Sequence, residues 1–169
     1  MESNFRDALK ERILIGDGAM GTFLFTKGFP IGVPYEQLVI SKPEAVLEVH
    51  QQYVAAGAQV IQTNTYQANA VKFARYGIED QVEQINAAAV SLAKQAAGKQ
   101  AYVVGTVGSV RDGKRGNVRT LALTDALHRQ IHALLSQNVD GLLFETFYDL
   151  DEMKLALRIA REESNVPII

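Results

Sequence analysis

Two carboxylates stand out because each follows directly on an apolar run: Asp17 after Ile13-Leu14-Ile15, and Glu145 after Leu142-Leu143-Phe144. An acid at the end of a buried strand sits where bulk water answers its charge poorly, so another group must. In βα proteins such strand ends converge on one face, and two acids sharing a pocket mouth there are suited to holding an ammonium group. The other strand ends supply neutral hydrogen-bonding groups, Gln62-Thr63-Asn64-Thr65 after Val60-Ile61 and Thr106 after Ala101–Val104. Threonine and glutamine are equally what the wet end of any strand carries, so their type alone does not assign them a role.

Three further patterns admit competing readings. Gly16-Asp17-Gly18-Ala19-Met20-Gly21 has the G-x-G-x-x-G spacing that cradles a pyrophosphate in dinucleotide-binding proteins. Against this, Gly28, Pro30, Gly32 and Pro34 follow too soon for a long helix, and Asp17 puts negative charge where a phosphate would lie. No acidic residue ends the next strand either, so a nucleotide-binding open sheet is the weaker alternative. The glycines are better suited to letting the backbone approach a small ligand closely. His128 and His132 have the i, i+4 spacing of metal ligands, but they flank the core stripe of a helix and are expected to be partly buried by packing. The segment from Arg111 to Arg119 is basic and punctuated by Gly113 and Gly116. It reads as a solvated loop, or as one whose arginines meet an anionic substrate tail.

The elements that must position these groups follow from the hydropathy pattern. Short apolar runs, ending with Val166-Pro167-Ile168-Ile169, alternate with amphipathic stretches. Near-continuous apolar character suits parallel strands buried on both faces. Ser41 and Glu44 have capping-box spacing around Pro43, and Val46, Val49, His50, Tyr53 and Val54 then recur at helical intervals as far as Gly57. A second helix is expected from about residue 79 to 97. Thr124 is expected to cap a third, with Leu127, Ile131, Leu134 and Leu135 facing the core. A fourth spans about 149–161. The pattern is α/β, with four βα units and the start of a fifth strand, and its crossovers should be right-handed. That makes either half of an eight-fold barrel or a small open sheet. With two sheet edges unpaired, a non-catalytic assembly module is a competing function.

Composition narrows the function classes. The chain has 169 residues, 47% hydrophobic and 21% charged, with a net charge of −2. That balance excludes disorder and gives no broad basic surface for nucleic acid. No apolar run is long enough to span a membrane, and the polar N-terminus lacks a secretion signal's layout, so a cytoplasmic protein is expected. With no cysteine, the chain can build neither a disulfide nor a thiolate metal site from its own residues.

Asp17-Gly18-Ala19-Met20-Gly21-Thr22, Gln62-Thr63-Asn64-Thr65-Tyr66 and Glu145-Thr146, in that order at successive strand ends, resemble the homocysteine S-methyltransferase family. Within it the chain is most similar to the bacterial type fused to 5,10-methylenetetrahydrofolate reductase. The resemblance implies that residues 1–169 are the N-terminal half of a (β/α)8 (TIM-barrel) methyltransferase domain, with the remaining half of the barrel as its partner. It implies methyl transfer from a donor to the sulfur of homocysteine, giving methionine. It also implies a zinc ion on three cysteines beyond residue 169, and FAD only if a reductase domain follows. By motif, Asp17 and Gly18 correspond to the homocysteine-contacting loop, and Glu145 to the acid that holds the amino-acid end. Thr63 and Asn64 correspond to the pocket lining. No catalytic or metal-binding residue is expected within the chain. The need for a metal is chemical: an alkyl thiol of pKa about 8.5 is only about 3% thiolate at pH 7, whereas a coordinated thiol is deprotonated.

Overall fold

The computed structural model describes residues 4–113 and 118–169. Its centre is a parallel sheet of three strands in the order β1 (Val60–Gln62), β2 (Tyr102–Gly108) and β3 (Gly141–Glu145). Val60 pairs with Tyr102, and Val104 with Gly141, so the register brings Gly108 level with Glu145. Every residue of β2 is buried, as the continuous apolar run requires of a central parallel strand.

The two outermost expected strands are each reduced to one bridge, Gly16 to Val60 and Ile168 to Leu142. On the first edge, Gln59 and Val60 donate to the Ile15 carbonyl and Asp17 donates to that of Val60. The backbone bonding on this edge is confined to Ile15 and Asp17, so the segment makes a bridge and not a strand. Ile13 is 91% and Ile15 61% exposed.

Helices cover both faces. The long helices α4 (Pro43–Ala55), α6 (Val82–Ala97), α7 (Thr120–Leu135) and α8 (Leu150–Glu163) follow the expected amphipathic stretches. From α6, α7 and α8, Val90, Leu127, Leu134 and Ile159 pack with Ile61, Val103, Val107 and Leu142 of the sheet. On the other face α1 (Phe5–Glu11) places Phe5 against Tyr102, ring centroids 4.9 Å apart, in a cluster with Val60 and Val104. Short helices α2 (Met20–Thr26), α3 (Leu38–Ser41) and α5 (Ala70–Phe73) fill the connections. Among the described residues, no helix is long and apolar enough to cross a membrane.

Pro43 opens α4, and Gly57 follows it at φ 102°, both as the sequence implies. The caps expected at Ser41 and Thr124 are not formed. Ser41 already belongs to α3 and donates its hydroxyl back to the Gln37 carbonyl. Helix α7 starts four residues before Thr124, whose hydroxyl bonds the Thr120 carbonyl. In each case the preceding residues were already helical, and a hydroxyl inside a helix bonds backward instead of capping. Asp149 does cap α8, accepting the N–H groups of Asp151 and Glu152.

Candidate active site

A cavity of about 570 Å³ opens where the strand ends meet the loop after Gly16. It brings together Asp17, Gly18, Thr63, Asn64 and Glu145, all five residues expected at the site, along with Gln62 and Thr106. The glycine loop leads into α2, which runs only seven residues before Lys27. Asp17, inside the glycine loop, lines the cavity and so brings an acid to the loop where a phosphate-binding turn would need none.

Asp17 is fixed through one oxygen. Its Oδ2 accepts the backbone N–H of Gln62 at 2.9 Å, while Oδ1 is buried with no partner among the described residues. Burial is the largest influence on its acidity and raises its pKa to about 6. The Gln62 hydrogen bonds oppose that rise, and the charge of Glu145 adds to it. An acid in this state gains most from a cation. Glu145 ends β3, and Thr146 turns the chain away with φ 52°, a conformation rare for a β-branched residue. That strain lies directly beside the second acid of the cavity. Gly18 is needed for space: a Cβ there would lie 2.8 Å from the Tyr53 hydroxyl.

The cavity floor is a buried network of threonines. Thr63 and Thr65 share a hydroxyl–hydroxyl hydrogen bond of 2.6 Å. Thr65 donates to the Thr106 carbonyl at 2.7 Å, and the Thr106 N–H donates to the Thr63 hydroxyl at 3.0 Å. From α7, the fully buried Gln130 donates to the Thr65 carbonyl at 2.7 Å. The ends of β1 and β2 are thereby locked together. Asn64 donates its amide to the Tyr35 carbonyl at 2.8 Å, tying the wall from Val33 to Glu36 to the strand motif.

Sequence reasoning missed part of this wall. Glu36 is only 8% exposed, lines the cavity and accepts the N–H of Gln67 at 2.9 Å, and burial raises its pKa. Nothing in Pro34-Tyr35-Glu36-Gln37 marks that acid as buried. Gln130 did leave a signal, as a polar residue among the core positions Leu127, Ile131 and Leu134.

The other expected residues lie apart from the cavity. His128 and His132 are exposed, not packed, and their stacked rings are 6.1 Å apart. Each reaches Glu163 of α8, His132 at 2.8 Å and His128 at 3.5 Å. Their helical spacing points both imidazoles to one side, and the partner there is a carboxylate. From the basic segment, Arg111 pairs with Asp149 at 2.9 Å, while Lys114, Arg115, Gly116 and Asn117 lie outside the described residues.

The donor set at the cavity does not suit a zinc–thiolate centre. It offers carboxylates, hydroxyls and amides, the chain has no cysteine, and no three ligating side chains cluster among the described residues.

Comparison with known proteins bears on the family and the fold. The family model for homocysteine S-methyltransferase matches residues 14–169. The homocysteine methyltransferase MmuM of Escherichia coli in its metallated form superposes with a TM-score of 0.83 at 26% identity, over 96% of this chain and 64% of that one. Its oxidized form gives a TM-score of 0.85 at 24% identity, over 99% and 64%. The apo form gives 0.72 at 25%, over 96% and 60%. The chain therefore spans less than two thirds of the length of these enzymes and matches a fragment of their barrel.

Proposed function

Because the chain belongs to the homocysteine S-methyltransferase family, we propose that its acidic cavity binds homocysteine by the ammonium group and so orients the thiol for methylation. The observation that carries this reading is that two carboxylates, Asp17 and Glu145, line one cavity that no lysine, arginine or histidine enters among the described residues. An ammonium has three protons to distribute between the two carboxylates, and charge-assisted hydrogen bonds of this kind are the strong ones. With one oxygen on Gln62, Asp17 cannot swing to follow the ligand, so the amino end is held at a defined place. Asn64 and the threonine network fix the floor on which the rest of the substrate lies. Orientation of this sort lowers the barrier to transfer without any chemical step at these residues.

The homocysteine thiol would be ionised by coordination where zinc is bound. The zinc ligands are expected on chain beyond residue 169, and the share of the work given to these residues is binding and orientation. The same reading makes the four βα units, with the start of a fifth strand, the first half of a (β/α)8 barrel. The exposed Ile13 and Ile15 at one sheet edge and Ile169 at the other are then surfaces for further strands.

The test is calorimetric titration with homocysteine and with 4-mercaptobutyrate, which keeps thiol and carboxylate but lacks the amino group. Homocysteine should bind at least about tenfold more tightly, the value of one charge-assisted hydrogen bond. Equal binding of the two would remove the ammonium from the acidic cavity.

A further inference from the structure

Tyr53 of α4 reaches from the core to the loop that carries Asp17. It packs against two apolar clusters, the one that holds Ile61 and Val103 of the sheet and the one that holds Val46, Val49 and Ile85, so its base is fixed on both sides. From there it meets the loop at three successive places. It lies against Gly18, where a Cβ would stand 2.8 Å from the Tyr53 hydroxyl and 2.9 Å from its ring. Its hydroxyl donates to the Ala19 carbonyl at 3.3 Å. Its ring meets Phe23 of α2 edge-on, with centroids 5.7 Å apart and planes at 82°.

The loop needs such a hold. On its strand side the backbone pairing is a single bridge from Gly16 to Val60, followed by the Asp17 N–H bond to the Val60 carbonyl. On its helix side α2 begins at Met20 behind Ala19, whose methyl group cannot cap the free N–H groups. That helix is seven residues long, and so short a helix depends on tertiary contacts for its place. Asp17 thus stands between a frayed sheet edge and a short uncapped helix, and Tyr53 ties that span to the core. The acid and the hydroxyl are also close enough to feel each other: burial raises the Tyr53 pKa, and the charge of Asp17 adds to the rise. The phenol therefore keeps its proton and remains the donor to Ala19.

Resting on the proposed part of Asp17 in holding homocysteine, we infer that Tyr53 is a positioning residue of the site, which fixes Gly18 and Ala19 and so sets where the Asp17 carboxylate meets the ammonium. Tyr53 lies outside the cavity lining and acts through the loop alone. A loop released at Ala19 would let the carboxylate move toward water while the Gln62 N–H still tethers it. Alignment would be lost, and the acid would stay at the site. Burial is the largest influence on Asp17, so release should make it a stronger acid; Glu145 of β3, the other charge acting on it, is untouched by the change.

The experiment compares the wild type with Tyr53→Phe, which keeps the ring and its contact with Phe23. Carbon NMR follows the Asp17 carboxyl between pH 4 and 8. Asp17 should titrate at about pH 6 in the wild type and about half a pH unit lower, or more, in the variant. Homocysteine affinity, measured by calorimetry at pH 7.5, should fall about two- to tenfold, the worth of one hydrogen bond, with 4-mercaptobutyrate bound as before. The control is Tyr35→Phe, which removes a hydroxyl-to-carbonyl bond of the same 3.3 Å length, to Phe29, elsewhere on the cavity wall. It should leave the Asp17 midpoint in place. Melting curves fix a temperature at which all three proteins are folded. An Asp17 midpoint that Tyr53→Phe leaves unchanged or raises, or that Tyr35→Phe lowers equally, would overturn the positioning role, since this reading needs no ligand. A lowered midpoint in a protein that binds homocysteine no better than 4-mercaptobutyrate would support the hold on the loop and count against the ammonium reading alone.

Discussion

One oxygen of Asp17 accepts the Gln62 N–H at 2.9 Å, and the other is buried with no partner among the described residues. The carboxylate is therefore rigid and unsatisfied at once. Its raised pKa, about 6, follows mainly from burial. The sign of its effect on stability is set by the ionised form. Above pH 6 Asp17 is charged in both folded and unfolded chains, and the folded one bears a desolvation cost of about 2–3 kcal/mol. Below pH 3.8 it is neutral in both and the cost is gone. Asp17→Asn keeps the acceptor for Gln62, so it should raise stability at pH 7–8 and lose that advantage by about pH 4. Denaturant unfolding at several pH values checks this. For binding the sign reverses, and homocysteine affinity should climb with pH up to about 6 and then level off.

His50 should act in the opposite direction. It is fully buried, neither ring nitrogen has a partner, and burial lowers its pKa to about 4 from 6.5. Its neutral form is the one the fold tolerates. The stability it permits is complete above pH 6.5 and lost as pH falls toward 4, by about 3 kcal/mol. Leucine fills a similar volume and cannot charge. His50→Leu should therefore flatten the acid limb of the stability profile while changing little at pH 8, as thermal melts across pH would show.

Glu145→Gln removes one of the two charges proposed to face the ammonium. Truncating one member of a desolvated charge pair costs about 2–5 kcal/mol, or at least about thirtyfold in affinity. Calorimetry should show homocysteine weakened by that amount with 4-mercaptobutyrate unaffected. An unchanged homocysteine affinity would take Glu145 out of the site.

Much of this arrangement is legible in the sequence because it depends on local order. Apolar runs that end in Asp17 and Glu145 carry those acids to one face wherever strands are parallel. The floor and walls are less legible, because they depend on distant pairs. Gln130 meets Thr65 across 65 residues, and Asn64 meets Tyr35 across 29. Glu36 shows the limit most clearly, as an acid in a polar-looking loop whose burial comes from the fold around it. The caps failed for a local reason: Ser41 and Thr124 have the right chemistry, but the helical residues before them had already set the boundary.

Gly108, at the end of β2, leaves room for the loop that carries Tyr66 into the cavity wall. A Cβ there would meet the Tyr66 carbonyl oxygen at 2.5 Å and the Tyr66 ring at a similar distance. The Gly108 N–H also bonds that same carbonyl at 3.0 Å. Since backbone cannot yield as a side-chain tip does, Gly108→Ala should cost about 1–3 kcal/mol of stability. It should also weaken homocysteine, because it displaces Tyr66, which lines the cavity. Calorimetric titration of the variant with homocysteine checks this.

The central claim is that Asp17 and Glu145 hold the amino group of homocysteine, and a crystal structure of the chain soaked with homocysteine at pH 7.5 tests it most directly. The account predicts the ligand nitrogen at about 2.7–3.1 Å from a carboxylate oxygen of Asp17 and within hydrogen-bond reach of Glu145. A ligand whose thiol points at Asp17, or whose nitrogen lies away from both acids, would contradict it.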